Sequence, residues 1–341
     1  MRHAAGLLDS SCLGKIEIHG PDALDFIDRF YINDLTTLKS HRARYGLMLR
    51  ETGILWDDGT VVMLAPDRIL ITTTSGNAGR VAQWLEEWHQ CEWPNLRVAI
   101  VPVTESWATL SLSGPKSRAI LASIPCDIDL QGAAFPHLCI REGTLLGAPA
   151  RVYRVSFTGE LTYEINVPTE RCQQLWDALM DAGAPFGLQP LGMDALLTLR
   201  LEKGFLHIGS DTDGSSVPDD VGWGKVAAGK KGDYIGKRSL SLSEHVKPDR
   251  LQLVGLAAEA AKPFVIGSHL RALDSSESTD GWITSAGLHT LTDQPIALAL
   301  IRGGRMKVGA QTDVYDDGVI VGRARIVNPP FYDSAGDRMN G

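Results

Sequence analysis

The stretch LGMDALLTLRLEKGFLHIGSDTDGSSVPDDVGWG, residues 191–224, passes from helical spacing into a polar loop. Leu196, Leu199 and Leu201 recur among Thr198, Arg200 and Glu202, which predicts a buried helix. Gly204 follows as the residue to close it in a left-handed conformation. Phe205, Leu206 and Ile208 then read as a strand-like piece running into Gly209-Ser210-Asp211-Thr212-Asp213-Gly214. With Ser215, that loop brings together two carboxylates, three hydroxyls and two glycines before Pro218-Asp219-Asp220. A loop this polar between apolar segments either lines a site or turns the chain in solvent. Its composition leaves both open.

Upstream, one phrase occurs twice. Gly14 to His19 alternates as a strand, Gly20-Pro21-Asp22 starts a helix, and Ala23, Phe26, Ile27 and Phe30 form its apolar stripe. Trp107 to Ser113, Gly114-Pro115 and a helix to Ser123 repeat the plan, which predicts two similar α+β halves. Between them, Ala43–Leu49 and Ile54-Leu55-Trp56 read as strands, with a turn at Asp57-Asp58-Gly59 before Thr60–Leu64 resumes. Neighbouring side chains on an extended segment point oppositely, so one of Asp57 and Asp58 is expected to face inside. Such a carboxylate needs a partner or a ligand, whereas an exposed Asp-Asp-Gly turn needs neither. Asp67–Thr74 is a further strand, and Ala78–Trp88 is an amphipathic helix. Ala150–Val155 and Leu161–Val167 predict a hairpin that places Glu164 between Tyr163 and Ile165. Arg171–Met180 is a helix with Leu175, Trp176 and Leu179 facing inward.

Downstream, residues 230–239 (KKGDYIGKRS) fail as a phosphate loop. Lys231 stands where the first Gly would be, and Arg238 where a Ser or Thr must hold magnesium. Residues 241–250 read as a polar linker, and short strands with Gly-rich turns from Leu251 predict a small all-β unit.

The chain has 341 residues, 44% apolar and 22% charged, with a net charge of -8. That size implies two or three packed units, and no basic run suggests a nucleic-acid or anionic-membrane partner. The longest apolar run, Ile296–Ile301, is far short of the ~20 residues that span a bilayer. The five cysteines are scattered without a CxxC pair, which argues against a disulfide framework or structural zinc and for a reducing, cytoplasmic setting. Metalloprotease, Gly-x-Ser-x-Gly hydrolase and dinucleotide motifs have no counterpart here, and no metal site is expected. What remains is a set of carboxylates in apolar settings (Asp58, Glu164, Glu202, Asp211) with aromatics near them in sequence (Tyr45, Trp56, Phe157). Carboxylates accept from ring nitrogens and amino groups while aromatics stack on ring faces, a combination suited to a planar polar heterocycle.

Four segments carry a resemblance: LDSSCLGKIEIHGPDALDFIDRFYINDL (8–35), ARYGLMLRETGILWDDG (43–59), SFTGELTYEINVP (156–168) and RLEKGFLHIGSDTDG (200–214). With DDVGWG (219–224) and GDYIGKRSL (232–240), they make the chain resemble the glycine-cleavage T-protein superfamily. The likeness is nearest to the C-terminal half of the sarcosine oxidase alpha subunit. It implies an α+β cloverleaf: two interleaved ferredoxin-like/Greek-key domains over residues 1–245 and a C-terminal β-barrel over 246–341. It also implies a tetrahydrofolate site in which Asp58 is catalytic, Glu164 binds the pteridine, and Tyr45 contacts the folate. Phe157 takes a further aromatic position there without its hydroxyl.

The implied reaction is attack of a tetrahydrofolate nitrogen on an imine or aminomethyl donor. It forms methylenetetrahydrofolate and releases the amine, with Asp58 accepting a proton or stabilising a cation. In a sarcosine oxidase-like complex, flavoprotein subunits would make the imine. The likeness starts at Met1 without the longer leading segments of these relatives, so a split-gene subunit, a shortened product or a fragment is expected. Near Met193-Asp194 T-proteins carry an Arg, and Asp333 replaces another after Phe-Tyr. Rival expectations are a folate-dependent demethylase, a non-catalytic folate-binding subunit, and an iron–sulfur assembly protein. The last would have Cys where Phe205 follows Lys203-Gly204.

Overall fold

The computed structural model describes residues 1–259, 262–273 and 278–341. They form two compact units: 1–48 with 57–192 and 336–341, and 49–56 with 193–335.

The strands and helices of the first unit, in chain order, are β1 (Ala5–Asp9), β2 (Gly14–His19), α1 (Ala23–Asp28), β3 (Ala43–Leu49), β4 (Leu55–Ala65), β5 (Arg68–Thr73), α2 (Ala78–Cys91), β6 (Ala99–Pro102), β7 (Trp107–Ser113), α3 (Ser117–Leu121), β8 (Ile140–Leu145), β9 (Ala148–Tyr153), β10 (Thr162–Pro168), α4 (Cys172–Gly183) and β11 (Leu188–Pro190). One sheet runs β11-β1-β7-β10-β9-β8 and the other β3-β4-β5-β2-β6. The chain opens in the first sheet, builds the second from β2 to β6, and returns, so the two α+β halves interleave.

The repeated Gly-Pro phrase has a steric cause. Gly20 and Gly114 sit at φ 127° and 123°. A Cβ on Gly20 would fall 2.1 Å from Arg97 O, and one on Gly114 2.6 Å from Ala4 O. Only glycine turns the strand into its helix there.

The facing sides of the two sheets are partly polar. In β2, Glu17 and Lys15 share one face; in β10 and β9, Glu164, Asn166, Tyr153 and Arg151 share another, Glu164 opposite Tyr153 and Asn166 opposite Arg151. The faces meet where Arg151 Nη1 bonds Glu17 Oε1 at 2.6 Å. Beside that pair an apolar cluster including Val62, Leu70, Tyr153 and Val155 closes the layer.

Beyond residues 49–56, the second unit holds α5 (Met193–Glu202) and α6 (Gly224–Gly229). Strands β12 (Leu251–Ala258), β13 (His269–Ala272), β14 (Gly281–Leu288), β15 (Pro295–Arg302), β16 (Gln311–Asp316) and β17 (Val319–Val327) close into a barrel ordered β12-β15-β14-β13-β16-β17. Its core alternates with period two, as in Val254/Leu256, Ala297/Ala299/Ile301 and Ala324/Ile326. The protein is thus mixed α+β with a closed C-terminal β-barrel. A last helix, α7 (Asp337–Asn340), belongs to the first unit.

Two local expectations are corrected. Asp57-Asp58-Gly59 is no turn: β4 runs unbroken through it. Gly59 is there because a Cβ would lie 1.9 Å from Thr72 O on β5, so it marks close strand approach. Phe205–Ile208 is no strand either. It curls around the buried Arg200–Asp211 pair, Arg200 Nη1 bonding both Phe205 O at 3.1 Å and Asp211 Oδ2 at 2.5 Å.

Candidate functional site

The unbroken β4 carries two adjacent acids with different surroundings. Asp57 is fully buried; its carboxylate accepts from Thr74 N at 3.2 Å and Asn77 Nδ2 at 3.3 Å. Asp58 is half-buried, accepting from the Tyr45 hydroxyl at 2.6 Å and from Thr74 Oγ1 at 3.4 Å. Thr74 and Asn77 thus seal Asp57, while Asp58 keeps partial access to solvent. Burial raises both carboxyls above the usual range. Asp58 reaches about 7, burial being opposed chiefly by the Tyr45 bond and reinforced by the Asp57 charge. A carboxyl poised there exchanges a proton near neutrality.

Tyr45 comes from β3, and its phenol is pushed well above its ordinary value, first by burial and then by the Asp58 charge. It remains a donor, so the bond holds Asp58 in one orientation. Asn33 steadies this strand by donating to Tyr45 O at 3.1 Å and accepting from Leu47 N at 3.3 Å. The fully buried Tyr31 lies close enough for the charges of Asp57 and Asp58 to push its phenol up further after burial.

Glu164 is half-buried on β10, in the sheet facing that of Asp58. Among the described residues no donor bonds its carboxylate. Burial raises it to about 7, and the charge of Lys15 opposes the rise. A carboxylate placed this way is an acceptor left for a ligand. Phe157 is half-buried in the β9–β10 connection. Arg2 grips that connection, Nη1 donating to Thr158 O at 2.8 Å and to Glu160 Oε1 at 3.0 Å.

Family profiles describe this architecture. One for the GCVT N-terminal domain matches residues 1–231, and one for the glycine cleavage T-protein C-terminal barrel domain matches residues 252–333. The chain belongs to the glycine cleavage T-protein family.

Within that family, an aminomethyltransferase of Halothermothrix orenii is 30% identical over 97% of this chain and 89% of its own length. A sarcosine oxidase subunit alpha of Corynebacterium sp. (strain U-96) is 39% identical over the whole chain, which spans 36% of that relative's length. The solved glycine cleavage system aminomethyltransferase T of Bartonella henselae superposes with a TM-score of 0.84 at 25% identity, covering 97% of this chain and 87% of its own.

Two further carboxylates of this T-protein-family chain, Asp211 and Glu202, are used structurally. Asp211, fully buried, binds Arg200 and accepts from Thr284 and Ser285 hydroxyls, both at 2.7 Å. Glu202, also fully buried, accepts from Thr290 Oγ1 at 2.7 Å and fastens α5 to the β14–β15 connection. His207 bonds Ser210 in the same loop. The polar loop of 209–215 thus turns the chain around a buried ion pair. Sequence reading missed Lys15, Tyr31 and Thr74. Alternation in GKIEIH could have placed Lys15 on the face of Glu17; nothing local marks Tyr31, whose phenol feels both charges, or Thr74, which bonds both acids.

Proposed function

We propose that this chain carries out tetrahydrofolate-dependent one-carbon transfer, taking an aminomethyl or imine carbon from a small amine donor and forming methylenetetrahydrofolate. One observation carries the reading: the first unit presents a tyrosine-held carboxyl at about 7, Asp58, together with Glu164, whose carboxylate takes no bond from the described residues. The relatives named aminomethyltransferase and sarcosine oxidase subunit alpha support it.

The donor set fits the cofactor. A pteridine offers ring N–H and amino donors, and the Glu164 carboxylate accepts them. Tyr45 and Phe157 supply the aromatic surface for the folate. Tetrahydrofolate, when bound, supplies the nucleophilic nitrogen that receives the carbon. Asp58 Oδ2, oriented by Tyr45, takes up a proton or sits as an anion beside developing positive charge. At slightly alkaline pH it is ionised and competent for either role. In a sarcosine oxidase-like assembly, flavoprotein subunits would deliver the imine. Residues 1–245 are then read as the folate-binding region and 246–335 as the barrel domain, while 336–341 belong with the first unit.

Calorimetric titration with tetrahydrofolate tests this in wild type, Asp58→Ala and Glu164→Ala. Expected are saturable binding lost in Glu164→Ala, and binding without methylenetetrahydrofolate formation in Asp58→Ala. A folded wild type that binds no tetrahydrofolate refutes the reading.

A further inference from the structure

Lys15 and Glu164 carry opposite charges on facing sheets of the first unit without forming an ion pair. Lys15 is 3% exposed, and its Nζ donates to Ser11 O at 3.1 Å and Leu13 O at 3.0 Å. Pleat and register set the facing. Glu17 on β2 meets Arg151 on β9, and Lys15 is two residues before Glu17 on the same face. Asn166 pairs with Arg151 across β9 and β10, and Glu164 is two residues before Asn166. Lys15 and Glu164 thus each sit one pleat step from the Glu17–Arg151 junction, on the two faces that it joins. The loop that holds the ammonium is fastened beside the acid as well. Ser10 Oγ and Ser111 Oγ lie 2.6 Å apart, and Ser111 is the cross-strand neighbour of Glu164 on β7.

We propose that the buried ammonium of Lys15 is the counter-charge that presents Glu164 as an anion to the ring N–H donors of a ligand. Lys15 is thus a positioning residue acting through Glu164, and this role rests on Glu164 being the heterocycle contact argued above. The other groups facing Glu164 do not supply the charge. From β9, Tyr153 carries a phenol pushed up by burial; from β7, Ser111 offers only a hydroxyl. Glu17 is engaged with Arg151. Burial lowers the Lys15 ammonium, and Glu164 leads the charges that oppose this, so the two groups answer each other.

Carbon-13 NMR of selectively labelled glutamate in the free protein follows the Glu164 midpoint, beside tetrahydrofolate titrations over the same pH range. Lys15→Met is expected to raise that midpoint by about one unit and to weaken binding about tenfold at neutral pH. Lys15→Arg should restore both. An unmoved midpoint in a folded Lys15→Met overturns the proposal. The reciprocal measurement does not require that variant to fold. Glu164→Gln should lower the Lys15 Nζ midpoint by a similar amount, and no change there also overturns it. Coupled midpoints in a wild type that binds no tetrahydrofolate would support the Lys15–Glu164 coupling while removing the folate reading.

Discussion

The Tyr45 hydroxyl donates to Asp58 Oδ2 across 2.6 Å, joining β3 to β4 at the proposed reaction centre. It is the main influence holding Asp58 down against burial. A short bond to a charged acceptor favours the anion and fixes the carboxylate plane.

Tyr45→Phe should therefore raise the Asp58 midpoint above about 7, by about one unit. The acidic limb of kcat/KM for methylenetetrahydrofolate formation would move to higher pH by the same amount, with the alkaline plateau less affected. An acidic limb at its wild-type position would detach Tyr45 from the ionisation of Asp58.

Raised carboxyls also make stability depend on pH. Asp58 moves from 3.8 to about 7 on folding and Glu164 from 4.5 to about 7. The folded state binds these protons more tightly, so their favourable contribution is complete below about pH 4 and is lost as pH rises through about 7. Asp58→Asn removes that loss. It should be more stable than wild type at about pH 8, by on the order of 2 kcal/mol once solvent access to the half-open side chain is allowed for, and no more stable at about pH 4. Urea unfolding at the two pH values measures the difference; equal stabilities at the higher pH would contradict the burial assigned to Asp58.

How much of this was readable in advance depended on how local each cause is. The Gly20 and Gly114 corners were legible because a positive φ leaves glycine as the natural choice, so the repeat appears in the sequence itself. The start of the barrel at Leu251 was legible for a similar reason, its strands alternating with turns. Asp57-Asp58-Gly59 was misread because a glycine needed for contact with Thr72 looks the same as a turn glycine. Phe205–Ile208 looked extended, yet the buried Arg200–Asp211 pair bends it, and that partnership forms only when the loop folds back on α5. In the site, Asp58, Glu164, Tyr45 and Phe157 came from resemblance. Composition offered only carboxylates and rings, and the facing of Lys15 and Glu164 requires both sheets.

Gly59→Ala tests the close approach of β4 and β5. The added Cβ would sit 1.9 Å from Thr72 O, a main-chain atom with little freedom to retreat. Strand separation there displaces the neighbouring Asp58 as well. Expected are a loss of about 2 kcal/mol or more in stability and loss of activity out of proportion to the unfolded fraction. Thermal unfolding with activity measured well below the transition separates the two effects. Wild-type values for both would mean that the strands are not so closely joined.

Arg154 offers the sharpest test of packing within the first unit. Its side chain is fully buried, and Nη1 donates to Phe135 O at 2.9 Å while Nη2 donates to Met339 O at 2.7 Å and Asn340 O at 3.4 Å. A buried guanidinium held by carbonyls is destabilising once those acceptors go. Two of the three belong to residues 336–341, whose Gly341 O also accepts from Arg118 Nη2 at 3.1 Å. Removing 336–341 should therefore destabilise the first unit by about 2 to 4 kcal/mol, chiefly by stranding Arg154. Arg154→Met alone should be less harmful, since the carbonyls it frees at the helix end can bind water. Combining the two changes gives a cycle whose coupling is the informative quantity. If Arg154 is what the segment satisfies, removing 336–341 from Arg154→Met should have less effect than removing it from wild type, by at least about 1 kcal/mol. Strict additivity would place the grip of the segment elsewhere, on Arg118 or on the Leu161 side chain against which Gly341 lies.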